Sequence, residues 1–128
     1  MLQVRRGFSG FAVHDLEAAR TFYRDTLGFK VDSDDRMGLL ALTLPGTDTT
    51  VMVYPKPDFV PATYTILNLS VDDIDAAVDS LTGSGVTMLR YDDMGQDARG
   101  IARGEGPEIA WFNDPSGNIL SVLVESAA

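Results

Sequence analysis

The chain of 128 residues contains no cysteine. Within a single copy this excludes disulfide frameworks, thiolate nucleophiles, iron–sulfur clusters and Cys-based zinc sites. Histidine occurs once, at His14, so a 2-His-1-carboxylate iron site cannot be assembled from one chain. A Ser/His/Asp triad would need a serine beside His14, which the coarse topology does not supply. Basic residues are scarce as well: 10 Lys and Arg stand against 19 Asp and Glu, a formal charge of -9. Phosphate backbones and anionic bilayers are repelled by such a surface, so neither nucleic acid nor membrane is an expected partner. No stretch approaches the roughly 20 apolar residues that a spanning helix needs. Arg5 and Arg6 are followed by no apolar run of the secretory-leader type, and a cytoplasmic protein is expected.

What is present points to a globular domain. Hydrophobic residues make up 45% and charged residues 23%, and at this length roughly 65% of the unfolded surface can be buried without external staples. An internal repeat organises the chain: Asp15-Leu16-Glu17-Ala18-Ala19 returns as Asp73-Ile74-Asp75-Ala76-Ala77. Each copy follows an alternating apolar segment, Phe8 to Val13 and Tyr64 to Val71, and each aspartate suits a helix N-cap. The first helix keeps Leu16, Ala19, Phe22, Tyr23 and Leu27 on one face and stops at Gly28. The second keeps Ile74, Ala77, Val78 and Leu81 and stops at Gly83-Ser84-Gly85. Short strands are predicted at Phe29 to Asp32, Leu39 to Leu44 and Thr50 to Tyr54, then at Val86 to Tyr91, Ile109 to Phe112 and Ile119 to Val124.

The pattern therefore predicts an α+β fold of two tandem βαβββ modules within one domain spanning residues 1–128. Module one covers about 1–54, a stiff connector 55–61 carries Pro55, Pro57 and Pro61, and module two covers about 62–128. A four-stranded sheet with one helix leaves a face uncovered, so the modules are expected to pair, within a chain or between two, and a homodimer is expected.

The segments Gly10-Phe11-Ala12-Val13-His14-Asp15-Leu16-Glu17-Ala18-Ala19-Arg20-Thr21-Phe22-Tyr23-Arg24-Asp25-Thr26-Leu27-Gly28-Phe29 and Ala110-Trp111-Phe112-Asn113-Asp114-Pro115-Ser116-Gly117-Asn118 resemble the vicinal oxygen chelate superfamily, the glyoxalase, bleomycin-resistance and extradiol-dioxygenase group. The resemblance covers essentially the whole chain and is carried by structural motifs. It implies two modules curving into a cup-like mixed sheet with helices outside. In metal-dependent members, a strand residue seven before each capping aspartate and a residue of each module's last strand hold the metal. Those positions fall here on Phe8, Ile66, Ser121 and a residue within Thr49 to Tyr54. None supplies a usual ligand, so no metal and no other cofactor is expected.

In a cup of the family's kind, the parity of Phe8 aims Phe8, Gly10 and Ala12 inward, with Tyr64, Ile66 and Asn68 from the repeat and Ile119, Ser121 and Leu123 from the last strand. Pairing across the turn 114–118 sets Trp111 opposite Ser121 and inward as well, whereas a loop one residue shorter would aim Phe112 inward instead; one large aromatic lines the cup either way. Phe8, Tyr54, Tyr64, Ile66, Asn68, Trp111 and Ser121 are the candidate ligand-binding residues; they either line an organic-ligand pocket or fill the interior. The glycine-rich stretch from Tyr91 to Glu108 is long for a hairpin connection and suits a lid, with Arg90, Arg99 and Arg103 either meeting an anionic ligand or pairing with nearby acids. The pairs Asp34-Asp35, Asp72-Asp73 and Asp92-Asp93 read as solvated charge. The expected function is metal-independent binding of a small aromatic or amphiphilic molecule, resembling bleomycin-resistance-type binding proteins. The alternative is a glyoxalase- or dioxygenase-like metalloenzyme using displaced ligands such as Glu108, Glu125 or a His14 shared across a dimer, and a third reading is a structural module with a vestigial cup.

Overall fold

In the computed structural model, residues 1–104 and 106–125 are described. The chain divides into two compact units, residues 1–60 and 61–128, with the same internal order. The first contains β1 (Ser9–Val13), α1 (Leu16–Thr21), β2 (Lys30–Asp34), β3 (Leu39–Thr43) and β4 (Thr50–Pro55). The second contains β5 (Thr65–Ser70), α2 (Ile74–Gly83), β6 (Ala102–Gly104), β7 (Gly106–Asn113) and β8 (Ile119–Leu123). Each forms a four-stranded sheet, in the orders β1-β4-β3-β2 and β5-β8-β7-β6. In both, the first strand runs parallel to the last, and the remaining pairs are antiparallel. The α+β fold of two βαβββ modules read from the repeat is the observed one.

Both helices begin as their aspartates require. Asp15 accepts the N–H of Ala18 and Asp73 that of Ala76, each at 3.1 Å, from extended cap backbones. Such caps satisfy donors that the first helical turn leaves without partners. The first helix departs from the regular period after Thr21: residues Phe22–Thr26 form a π-helical turn, and the N–H of Leu27 reaches the carbonyl of Phe22 at 3.0 Å. This wider turn accommodates the adjacent aromatic pair Phe22 and Tyr23, both buried. Tyr23 is fully enclosed, with the rings of Phe11, Phe22 and Phe29 at 5.7, 5.2 and 6.1 Å. Gly28 closes the turn at φ +76°, a conformation that strongly favours glycine.

The core of each unit lies between its helix and one sheet face. In the first, Val51, Val53, Leu40 and Leu42 alternate inward with Val13 and Ala19; in the second, Ala110, Phe112, Leu120 and Val122 are buried with Ile74, Val78 and Leu81 of α2. Each fully buried large side chain contributes on the order of 2 kcal/mol. No described helix is long and apolar enough to cross a membrane.

Two elements of the second unit differ from the sequence expectation. The predicted strand Val86 to Tyr91 is reduced to a single bridge, Met88 to Phe112, and the module's second strand is β6, further along. The backbone of Leu89 and Tyr91 bonds instead to the side chain of Gln96, which takes the place of a neighbouring strand. The first repeat strand also begins at Thr65 rather than Tyr64, and a bulge at Ile66 shifts its register, so that Thr65 pairs with Ile119 while Leu67 pairs with Leu120. The Pro-rich segment starts within the first unit: Lys56 donates to the carbonyl of Val13 at 3.1 Å and a turn follows to Phe59, so it is not extended throughout.

Candidate functional site

The face of the second sheet opposite α2 carries the candidate site. Asn68 pairs with Ser121 and Ser121 with Trp111, so these three residues form one row across β5, β8 and β7. The row follows from the five-residue turn 114–118, which sets Asn113 opposite Ile119. Ser121 is fully buried, and its hydroxyl donates to Oδ1 of Asn68 at 2.6 Å. That bond leaves the amide N–H groups of the exposed Asn68 side chain available on the same face.

One row further along, Thr65 and Ile119 join Trp111 in an open cleft of about 480 Å³. Its walls are Tyr64, Tyr91 and Trp111, and Asp92, Asp93 and Met94 stand along it. Trp111 is only 9% exposed, whereas Tyr64 is 69% exposed, so the cleft has a buried aromatic floor and an accessible rim. The rings of Tyr91 and Trp111 meet edge to face, 5.3 Å between centroids.

Tyr91 is held from behind. Its N–H donates to Oε1 of Gln96 at 2.6 Å, while Nε2 of Gln96 donates to the carbonyls of Leu89 and Gly100, each at 2.8 Å. The N–H of Leu89 donates to the carbonyl of Trp111 at 2.8 Å. Gly100 fits here because a Cβ would lie 3.1 Å from that of Met88, at a φ of +91°. The next turn is built on Asp97, whose Oδ1 accepts the N–H groups of Arg99 and Ile101 at 2.9 and 3.0 Å. The bond from Ile101 is the largest influence and holds the Asp97 carboxyl below its ordinary pKa against the opposing effect of burial, with smaller contributions from the N–H of Arg99 and the charges of Arg103 and Arg99.

The arginines of this stretch serve the fold. Nη1 of Arg90 donates to the carbonyl of Asp97 at 2.6 Å. Arg99 binds Asp75 at 2.6 Å and Asp79 of α2, and Arg103 bridges Asp75 and Glu108, each at 2.7 Å. The segment read as a lid is thus tied down to α2, and its arginines pair with neighbouring acids; Glu105 lies outside the described residues.

The candidate residues read from the sequence separate into groups. Tyr64 and Trp111 share the cleft, and Asn68 and Ser121 continue the Trp111 row. Ile66, at the bulge, does not line the cleft. Phe8 and Tyr54 belong to the first unit. Phe8 lies just before β1 rather than in it, 51% exposed, with the Arg6 guanidinium 4.8 Å from its ring centre. Tyr91, Asp92, Asp93 and Met94 were not among the candidates. Tyr91 reads as a strand end and the acidic pair as solvated charge; both acids are exposed, yet both border the cleft.

The register also identifies the fourth position of the expected ligand set. Gly10 pairs with Met52 as Asn68 pairs with Ser121, so Met52 is the counterpart of Ser121. The four positions that the resemblance implies thus carry two hydrocarbon side chains, a thioether and a buried hydroxyl, none of them a usual ligand of a divalent metal. Of the displaced candidates, Glu108 is ion-paired with Arg103, and no three His, Asp or Glu side chains among the described residues come together to hold a metal.

Comparison with known proteins settles the family. The family model described as Glyoxalase/Bleomycin resistance protein/Dioxygenase superfamily matches residues 7–122. The chain belongs to this superfamily. Among solved structures of similar fold, TnmS3, an antibiotic binding protein from Streptomyces sp. CB03234, is 25% identical, with a TM-score of 0.71 over 98% of this chain and 100% of its own. A superfamily member from Sphaerobacter thermophilus DSM 20745 is 28% identical, with a TM-score of 0.70 over 94% and 98%. A glyoxalase/bleomycin resistance protein from Streptomyces sp. CB03234 is 26% identical, with a TM-score of 0.63 over 91% and 99%. Among curated proteins, none is similar enough to count as a match. Membership of this superfamily accords with the two repeated modules and their aspartate caps.

Proposed function

We propose that this protein binds a small, partly aromatic organic molecule without a metal, in the cleft walled by Tyr64, Tyr91 and Trp111. The observation that carries the reading is the cleft itself, about 480 Å³ with three aromatic walls, within the range of roughly 300–1,000 Å³ usual for small-molecule sites. The likeness to TnmS3 supports it, and so does a donor set unsuited to a divalent ion. Asn68, whose amide is oriented by the buried Ser121 hydroxyl, supplies polar recognition beside the aromatic floor. Phe8, Tyr54 and Ile66 are carried as further contact candidates, to be tested one at a time by alanine substitution.

The test is the melting temperature of chelator-treated protein with a panel of aromatic small molecules, and separately with Mn²⁺, Ni²⁺, Zn²⁺ and Fe²⁺. A ligand at 100 times its dissociation constant adds about 2.7 kcal/mol, a rise of roughly 10 °C for a chain of this size. Stabilisation by aromatic molecules and not by metals is the expected result. A selective rise with one metal and none with the aromatic panel would sink the reading in favour of a metalloenzyme.

The two units are proposed to act as one ligand-binding domain in a homodimer working in the cytoplasm. Each sheet has a single helix against one face, which supports pairing as the means of covering the other. Light scattering on purified protein measures the mass, and a monomer at micromolar concentration would remove the dimer from the proposal.

A further inference from the structure

We infer that the cleft selects a cationic aromatic molecule, one carrying an amine on or beside a flat ring system. The inference rests on the proposed binding role of the same cleft and adds the charge of the ligand. Three features decide it. Among the described residues that line the cleft, Asp92 and Asp93 carry the carboxyl groups and none is basic. The arginines nearby in sequence are committed elsewhere, Arg90 to the carbonyl of Asp97, Arg99 to α2, and Arg103 to Asp75 and Glu108. Among the described residues, no ion pair involves Asp92 or Asp93.

The aromatic walls favour the same charge. In an edge-to-face pair such as Tyr91 and Trp111, at least one ring keeps a face uncovered by its partner, and ring faces attract cations within about 6 Å. A flat ring system would stack along Tyr64 or against the buried Trp111 floor, with its ammonium directed to the acidic rim. There it forms charge-assisted hydrogen bonds with carboxylate oxygens. An anionic ligand of the same shape would meet two carboxylates and a net charge of -9 with nothing in the cleft to offset them.

Three probes sharing one ring system test this: naphthylmethylamine, naphthalenemethanol and naphthoate, titrated calorimetrically into the full chain at pH 7 and low salt. The amine is expected to bind at least ten-fold tighter than the alcohol, with naphthoate weakest. Added salt should narrow the gap, since screening weakens exposed charge pairs. In the double variant Asp92→Asn/Asp93→Asn the amine should fall to within about two-fold of the alcohol measured on the same variant. Tyr64→Ala, at an exposed ring, should weaken amine and alcohol together. Equal binding of all three probes would overturn the charge selection and leave aromatic binding intact. Binding of none, with no effect on melting temperature, would overturn both.

Discussion

The ring of Tyr91 meets that of Trp111 edge to face, at 5.3 Å between centroids and an interplanar angle of 89°. Trp111 is placed by sheet register, since β7 and β8 set it opposite Ser121. Tyr91 has no strand to place it, and its N–H is held by a side chain, that of Gln96. A cleft wall is thus built half from a sheet and half from a loop held by side-chain hydrogen bonds, Gln96 among them, which is where a fold can vary ligand contacts without disturbing its core.

Gln96→Ala removes the three hydrogen bonds that this carboxamide makes to Leu89, Tyr91 and Gly100. The expected loss is about 2 kcal/mol of stability, less than three full bonds because part of the freed backbone reaches water. Trp111 is the single tryptophan, so its emission reports the wall directly and should shift to the red as the Tyr91 ring leaves it. A variant with unchanged emission and wild-type urea midpoint would show that Tyr91 is held by something else.

Asp97 gives the same segment a pH dependence. Its carboxyl is held below the ordinary value of 3.8, chiefly by the N–H of Ile101. A group with a depressed folded pKa stabilises the fold above its unfolded value and loses that contribution as pH falls through the folded one. Asp97→Asn should therefore be less stable than the parent at pH 7, and the gap should shrink once the pH drops below 3.8. The exposed carboxyls of Asp25 and Asp58 are lowered as well, but they are common to both proteins and cancel in the difference. Melting curves from pH 7 to pH 3 measure it; a gap independent of pH would contradict the assignment.

Legibility in the sequence followed the range of the interactions. The helix caps at Asp15 and Asp73 are bonds over three residues, so both modules could be read, and the turn 114–118 narrowed the last hairpin to two registers, of which the one pairing Trp111 with Ser121 is observed. The bulge at Ile66 could not, because alternation counts residues and a bulge adds one without a compositional mark. The strand expected at Val86 to Tyr91 failed for a similar reason: the partner of its backbone is a glutamine side chain whose bonds reach back five and seven residues. Asp92 and Asp93 were read correctly as exposed, but exposure has no direction in a sequence, and the same carboxylates that face water also edge the cleft.

Asp73→Ala tests how far α2 depends on its cap. The carboxylate accepts the N–H of Ala76, and removal of such a cap costs about 1 kcal/mol, or roughly 3–6 °C in melting temperature at this size. Asp73→Asn, which keeps an acceptor oxygen, should recover most of the loss. Because α2 also anchors Arg99 and Arg103 through Asp75 and Asp79, hydrogen exchange in residues 97–103 should quicken along with that in the first turn of the helix. Exchange confined to the helix would uncouple the two elements.

Asp114 offers the sharpest test, because its partners are fixed by bonds of their own. The carboxylate is buried; Oδ1 accepts the N–H groups of Ser116 and Asn118, each at 2.9 Å, and Oδ2 accepts Nδ2 of Asn118 at 3.1 Å. Oδ1 of Asn118 in turn accepts the N–H of Ala62 at 3.3 Å, which sets the orientation of that amide. Asp114→Ala leaves buried donors without partners and should cost about 3 kcal/mol. Asp114→Asn should do little better, since its own amide N–H₂ would face that of Asn118, donor against donor. The exchanged pair Asp114→Asn/Asn118→Asp restores one acceptor facing one donor while still accepting from Ala62, so it should recover at least half of the stability lost by Asp114→Asn alone. Urea denaturation of the single and double variants gives the coupling directly, and a double variant no more stable than the sum of its parts would mean that the pair acts through packing and not through the direction of its hydrogen bonds.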